Sequence, residues 1–325
     1  VINAGETENK GIDLTINSTK ITNKNFTWNT SITLSHNKNS VKKLTGEDVQ
    51  LWEANFGYSQ NTHIIGVNQP LGQMYGYVTD GLYQVSDFDY DAATKTYTLK
   101  DGVPYAGEKG NVKPGMWKFK NIDGSKDNKI TEADKTVIGN AYPKIYGGIN
   151  NTFTYKDFDL SIFLTYSIGN DVFNATKLTN TKTALQNKNV LAVADSKHRW
   201  VLVNKAGDLI TDPQEMADIN KGKTVAAIYD NEAGDTYIHS WAVEDGSFLK
   251  LSNITLGYTF PKKMIRKVGL SKLRLYATGS NLLTWTKYSG FDPEVSTMGN
   301  GLTPGVDFGA YPRSRAFVFG INLAF

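Results

Sequence analysis

The chain has 325 residues, a net charge of +3 and no cysteine. The charge is too small to argue for nucleic acid, and the missing cysteine excludes disulfide staples and thiol catalysis. No run of about 18 uncharged apolar residues exists, which excludes a transmembrane helix. A transmembrane barrel stays open, because its strands need only about 10 alternating residues and read as hydrophilic on average. The 17 Tyr and 15 Phe suit aromatic girdles, although many β-sandwiches are equally rich. The opening Val1-Ile2-Asn3-Ala4-Gly5 is neither a signal peptide nor a natural start, so the chain reads as beginning partway along a longer protein.

Seven segments alternate with the period of a strand. Gly11–Ile21 carries Ile12, Leu14 and Ile16 on one face, and Phe26–His36 carries Phe26, Trp28, Ile32 and Leu34. Tyr146–Tyr155 is glycine-rich and weaker. Phe158–Tyr166, Phe248–Phe260, Lys272–Leu282 and Ser314–Phe325 follow. In the last, Phe317, Phe319, Ile321, Leu323 and Phe325 alternate with small or polar residues. The connections at 22–25 and 155–157 are tight turns and 261–271 is moderate, whereas about 37–144, 170–246 and 284–313 are long. Strict alternation of short and long connections is the pattern of an outer-membrane barrel with short periplasmic turns and long external loops. With the C-terminus inside, every short turn falls inside and every long loop outside. The alternative on pattern alone is a secreted all-β protein. The segment 37–144 should hold further structure; Pro70–Tyr83, with Tyr75-Gly76-Tyr77 and Asp80-Gly81, reads as hairpin-like.

One loop carries metal-binding chemistry. Asp123, Ser125, Asp127, the backbone carbonyl of Lys129, Thr131 and Asp134 occupy positions 1, 3, 5, 7, 9 and 12 of an EF-hand-type calcium loop. Odd spacing turns alternate oxygens onto one hard cation. Asn128 takes the place of the usual glycine and is expected in the left-handed conformation. The shorter Asp134 in place of glutamate weakens calcium and admits magnesium. The alternative is an acidic turn that binds nothing.

Several strings, in this order, closely resemble the C-terminal part of SusC/RagA-family TonB-linked outer-membrane transporters of Bacteroidetes. They are Asn9–Leu14, Pro70–Tyr77 with Asp80-Gly81, Val137–Asn140 with Pro143-Lys144, Asp245–Leu251 running into Ile254–Tyr258, Asn281–Thr284 before Tyr288–Glu294, and Tyr311-Pro312-Arg313. The resemblance covers nearly the whole chain. It implies an all-β fold: the last seven strands of an antiparallel transmembrane β-barrel of about 22 strands, the rest and the plug lying outside residues 1–325. It also implies import of large nutrients, oligosaccharides or sometimes peptides, with a SusD-like surface lipoprotein as lid. TonB would act through the missing N-terminal part, and the lipid bilayer is the surrounding medium. Gly320, Leu323 and Phe325 match a Gly-x-x-apolar-x-aromatic ending that resembles the signal read by the barrel-assembly machinery. The rivals are a passive porin or structural barrel, and a soluble carbohydrate-binding β-protein with a calcium loop.

No catalytic constellation stands out. His36, His63, His198 and His239 lie far apart without a His-Glu-x-x-His, and no Gly-x-Ser-x-Gly occurs. Gly222-Lys223-Thr224 lacks the upstream glycine of a phosphate loop, which is Ala217. Asp292-Pro293-Glu294 reads as a loop-shaping element with Pro293 fixing its backbone. Arg199, Trp200, Tyr237 and Trp241 in the second long loop are candidates for contact with substrate, a partner protein or lipid headgroups.

Overall fold

The tight turns show why the chain folds back on itself where it does. The Asn23 side chain accepts from the backbone N–H groups of Asn25 (3.0 Å) and Phe26 (2.8 Å), so the loop closes on its own polar residue. Lys156 takes the left-handed conformation, with φ of 52°, in a two-residue link. The computed structural model describes residues 5–56, 59–182, 189–229, 237–298 and 300–325.

Seven strands form one sheet: β1 (Gly5–Thr22), β2 (Phe26–Leu44), β3 (Ile145–Tyr155), β4 (Phe158–Ile168), β5 (Phe248–Thr259), β6 (Lys272–Thr286) and β7 (Ala316–Ala324). Their order in the sheet is their order in the chain, and every neighbouring pair is antiparallel. All seven expected strands are present. The two that move most are β1, which starts six residues earlier than the alternation predicts, and β2, which runs eight further. Their extensions pair with each other from Gly5↔Leu44 to Lys10↔Lys38. The long connections accordingly run over 45–144, 169–247 and 287–315.

Those three connections meet at one end of the sheet and share a core. Ala54, Phe56 and Met74 of the first pack with Phe173, Leu178, Ile238 and Ala242 of the second and Val306 of the third. A four-stranded sheet of Lys135–Asn140, Gln73–Tyr77, Ser59–Gly66 and Val49–Asn55 fills much of the first. The third is tied in by Val306–Asp307, which pairs in parallel with Phe173-Asn174. Buried His63 crosses the same gap. Its Nε2 donates to the Pro304 carbonyl (2.9 Å), so its Nδ1 accepts from the Thr62 hydroxyl (2.8 Å). Burial lowers its pKa to about 4 and keeps the ring neutral.

The expected hairpin around Tyr75–Gly81 is not formed. Gln73–Tyr77 pairs with Lys135–Asn140, while Thr79–Leu82 pairs with Trp117–Phe119. The Tyr-Gly-Tyr and Asp-Gly strings lie in two different sheets, because long-range partners outcompete the local turn.

Candidate functional site

Antiparallel partners share a face of the sheet, and successive residues alternate between faces. Following the register therefore sorts every wall side chain. One row reads Ile16, Ile32, Ile149, Leu164, Leu251 and Leu283 across β1 to β6. Another reads Phe26, Tyr155, Phe158, Tyr258, Leu275 and Ile321 across β2 to β7. The opposite face reads Thr15, Thr33, Gly148, Thr165, Lys250 and Thr284, then Thr19, Asn29, Thr152, Ser161, Thr255 and Thr278. One face is aliphatic and aromatic; the other is mainly hydroxyl and amide, with Phe163, Tyr276 and Val318 set among the polar groups. The bulky face is uncovered: Phe319 is 79% and Phe325 91% exposed.

Most aromatics on the bulky face gather at two levels, with Phe317 and Phe319 of β7 between them. At the tight-turn end, Trp28 stacks on Phe153 (5.6 Å between centroids), Phe158 packs on Tyr258 (4.7 Å) and Tyr258 on Phe260 (4.9 Å). Tyr166 and Trp285 share one row toward the other end. From Phe158 to Tyr166 is about 26 Å along the strand, and a tilt of about 40° reduces this to about 20 Å of height. Two girdles around an apolar band of about 25 Å are what a hydrocarbon layer selects.

On the polar face Arg274 makes a two-pronged pair with Asp159, Nε to Oδ1 at 3.0 Å and Nη2 to Oδ2 at 2.5 Å. Near the loops, the wall and the three connections form an open cavity of about 460 Å³ lined by Tyr146, Ser167, Asp171, Phe248 and Glu294 among others. Asp171 accepts from the Asn140 N–H (2.8 Å), and burial holds its carboxyl above the usual carboxylate range.

The calcium-loop residues are ordered by hydrogen bonds within the chain. Asn128 is left-handed as expected, with φ of 55°. Asp123 and Asp127 each accept from the backbone N–H two residues on, at 2.8 and 3.1 Å. Thr131 turns its hydroxyl to Ala133 N–H (3.2 Å), while Lys129 pairs in parallel with Tyr105. Asp134 is fully buried and accepts from three backbone N–H groups: Ile122 (2.7 Å), Asp123 (3.2 Å) and Thr131 (2.8 Å). Ser125 Oγ faces the Asn121 amide at 3.3 Å. Among the described residues no three His, Cys, Asp or Glu side chains converge on a common point.

At the C-terminus, Gly320 lies on the polar face, and the Tyr276 ring crosses it so closely that a Cβ there would lie 2.2 Å from Cζ. Leu323 lies on the bulky face, and Phe325 follows one residue beyond the last paired position, 91% exposed. The loop candidates part company. Trp200 is 1% exposed and sits in a core with Leu82, Ile210, Met216 and Ala227, its ring against Gly115, so it offers no face to a ligand. Arg199 donates to the Thr181 carbonyl (2.6 Å) from a half-buried position. Tyr237 packs on Phe119 and Tyr77, and Trp241 lies between Trp117 and the Lys177 ammonium (4.1 Å). The sequence reading missed buried Lys250 and its pairing with Asp292 and Glu294, which it took as loop-shaping only. The signal was a lone lysine in a strand otherwise free of charge.

No family model matches the sequence. It is 33% identical over 99% of its length to TonB-dependent receptor P3 of Formosa agariphila, covering 29% of that protein. To TonB-dependent receptor SusC of Bacteroides thetaiotaomicron it is 28% identical, again over 99% of the chain and 27% of the relative. Among solved structures, the RagAB peptide transporter superimposes over 99% of the chain and 30% of its own, with a TM-score of 0.66 at 21% identity. The chain spans about three-tenths of the relatives it matches. The names they carry are of receptors and transporters, not enzymes. Over 99% of its length the chain is homologous to part of proteins named TonB-dependent receptors, SusC among them, and it shares the fold of the matching part of RagAB.

Proposed function

We propose that the protein imports large nutrients across the outer membrane, driven through TonB, with oligosaccharides or peptides as cargo. The observation that carries this reading is the two-faced wall: an aliphatic and aromatic side bounded by two girdles, and a hydroxyl and amide side that can line a wet passage. A soluble β-protein would bury the bulky face, and here it lies open. Among the described residues β1 pairs only with β2 and β7 only with β6. Each outer edge therefore carries unpaired N–H and C=O groups, which hydrocarbon does not tolerate without further strands. SusC and RagAB, named as a receptor and a peptide transporter, support import and leave both cargo classes in play.

A SusD-like lipoprotein as lid and the barrel-assembly machinery as insertase belong to the same proposal. The joined external loops are the surface open to the lid. Calcium at Asp123–Asp134 is proposed as a structural ion of the first loop, with magnesium as competitor.

The test is uptake of fluorescent oligosaccharide and peptide pools by cells with and without the gene, each with the proton-motive force intact or collapsed. Uptake that needs both the gene and the gradient supports the importer. Gene-dependent uptake indifferent to the gradient makes the protein a passive porin.

A further inference from the structure

We infer that residues 287–298 and 300–315 form an inward-folded strap across the mouth of the lumen, seated on the wall by an ionic clasp of Lys250, Asp292, Glu294 and Arg313. The inference rests on the barrel reading, which makes the polar face the lumen. It gives Asp292-Pro293-Glu294 a role that loop shaping alone does not.

The clasp begins with a register device. In an unbroken β5, Lys250 would share the face of Ile254 and Leu256 and enter lipid. The register shifts at Ser252, so that Leu249 and Leu251 join the bulky face and Lys250 turns to the lumen beside Thr165 and Thr284. There it is only 3% exposed. A buried, unpaired ammonium is strongly unfavourable, so carboxylates must come to it. Asp292 Oδ1 lies 3.2 Å from Nζ, and Glu294 makes a second, very short contact. Pro293 fixes the backbone between them, and the Glu294 N–H bonds back to Asp292 Oδ1 (3.0 Å), so both acids approach Lys250 together. From the far stem of the strap, Arg313 completes the charge balance, 3.6 Å from Asp292 and 3.9 Å from Glu294. Two cations and two anions thus join both ends of the strap to one strand of the inner wall. Seated this way, the strap forms one side of the 460 Å³ cavity and narrows the passage at the level of Trp285.

Removing Lys250 leaves two carboxylates facing each other; removing the carboxylates leaves a buried lone cation. Either change should lift the strap without disturbing the wall ladder. The test uses the whole receptor in bilayer nanodiscs, with a cysteine introduced at half-buried Val295 and, as reference, at exposed Leu209. The rate of modification by maleimide-polyethylene glycol is compared with the protein lacking the introduced cysteine. In Lys250→Met and in Asp292→Asn/Glu294→Gln, the rate at position 295 should rise at least tenfold, and the rate at 209 should stay constant. Equal rates at 295 in variants that keep heat-modifiable migration on a gel overturn the strap. Should Lys250→Met fail to insert, Glu294→Gln/Arg313→Gln, which alters the outer two partners, should still give a threefold rise; no rise there also overturns it. If the parent protein itself lacks heat-modifiable migration, the barrel reading fails, and the strap falls for that separate reason.

Discussion

The wall and the joined loops use the same apolar side chains in opposite ways. In the wall, Leu256, Phe319 and Phe325 are turned outward and the backbone ladder does the holding. In the loop region, Phe56, Phe173 and Trp200 are sealed inside and irregular backbone is tied by side chains such as His63. The wall is inside out with respect to water because its solvent on that side is hydrocarbon, where the bulky face needs no cover but every N–H and C=O needs a partner. The loops stand in water and must bury their apolar area as any soluble domain does. A mutation should therefore act by opposite rules in the two regions.

The largest contrast comes from truncation in the loop core. Trp200→Ala removes a fully buried ring and should cost about 3–5 kcal/mol of local stability. Hydrogen exchange reads it directly: protection should fall for the Trp200 and Val225 amides, which tie residues 198–225 together, and stay unchanged in β4 and β5. Loss of protection in the wall as well would mean that the two regions do not open separately.

The reverse test puts a charge on each face of the wall. Ile254→Arg, in an outward row between the girdles, should destabilise by about 2–4 kcal/mol in urea unfolding from lipid vesicles. Thr255→Arg, one residue away on the polar face, should cost less than about 1 kcal/mol. Equal penalties at the two positions would remove the distinction between lipid and lumen.

A smaller effect is expected at Asp134, whose three backbone hydrogen bonds close the 121–134 loop. Asp134→Ala takes the buried carboxylate acceptor away from those three N–H groups and should cost about 1–3 kcal/mol locally. The same variant sharpens the calcium proposal. Calorimetry of the chelated parent should show binding heat that Asp134→Ala loses; no heat from the parent removes the ion and leaves the hydrogen-bonded loop.

The same contrast explains what could be read from the sequence. All seven wall strands were legible because each must alternate where it crosses lipid. The extensions of β1 and β2 were not, because Lys38, Asn39 and Ser40 pair with Lys10, Asn9 and Glu8 beyond the apolar band, where both faces meet water. Leu249 and Leu251 were hidden by the shift at Ser252, which breaks the period that reveals a strand. The loop cores were hidden for another reason. Ala54, Phe173 and Val306 are neighbours only in space, and no local pattern announces a contact between three separate connections. Trp200, read as a surface aromatic in a long loop, is a core residue of this kind.

Deletion of Phe325 separates two roles the sequence leaves together. Phe325 lies just beyond the last ladder residue, Ala324, with its side chain exposed and its carbonyl accepting from the Ser271 hydroxyl (3.2 Å). As a lipid contact alone, its deletion should alter the stability of the inserted protein by no more than about 1–3 kcal/mol and leave the amount inserted unchanged. As part of an assembly signal with Gly320 and Leu323, its deletion should cut outer-membrane yield several-fold and scarcely change unfolding of whatever does insert. Gly320 supplies a control, since the Tyr276 ring crossing it gives that glycine a packing reason of its own. Gly320→Ala should lower stability through that clash even when assembly is forced in vitro, whereas loss of Phe325 should not. Parent-level yield after the deletion would leave Phe325 as a lipid contact only.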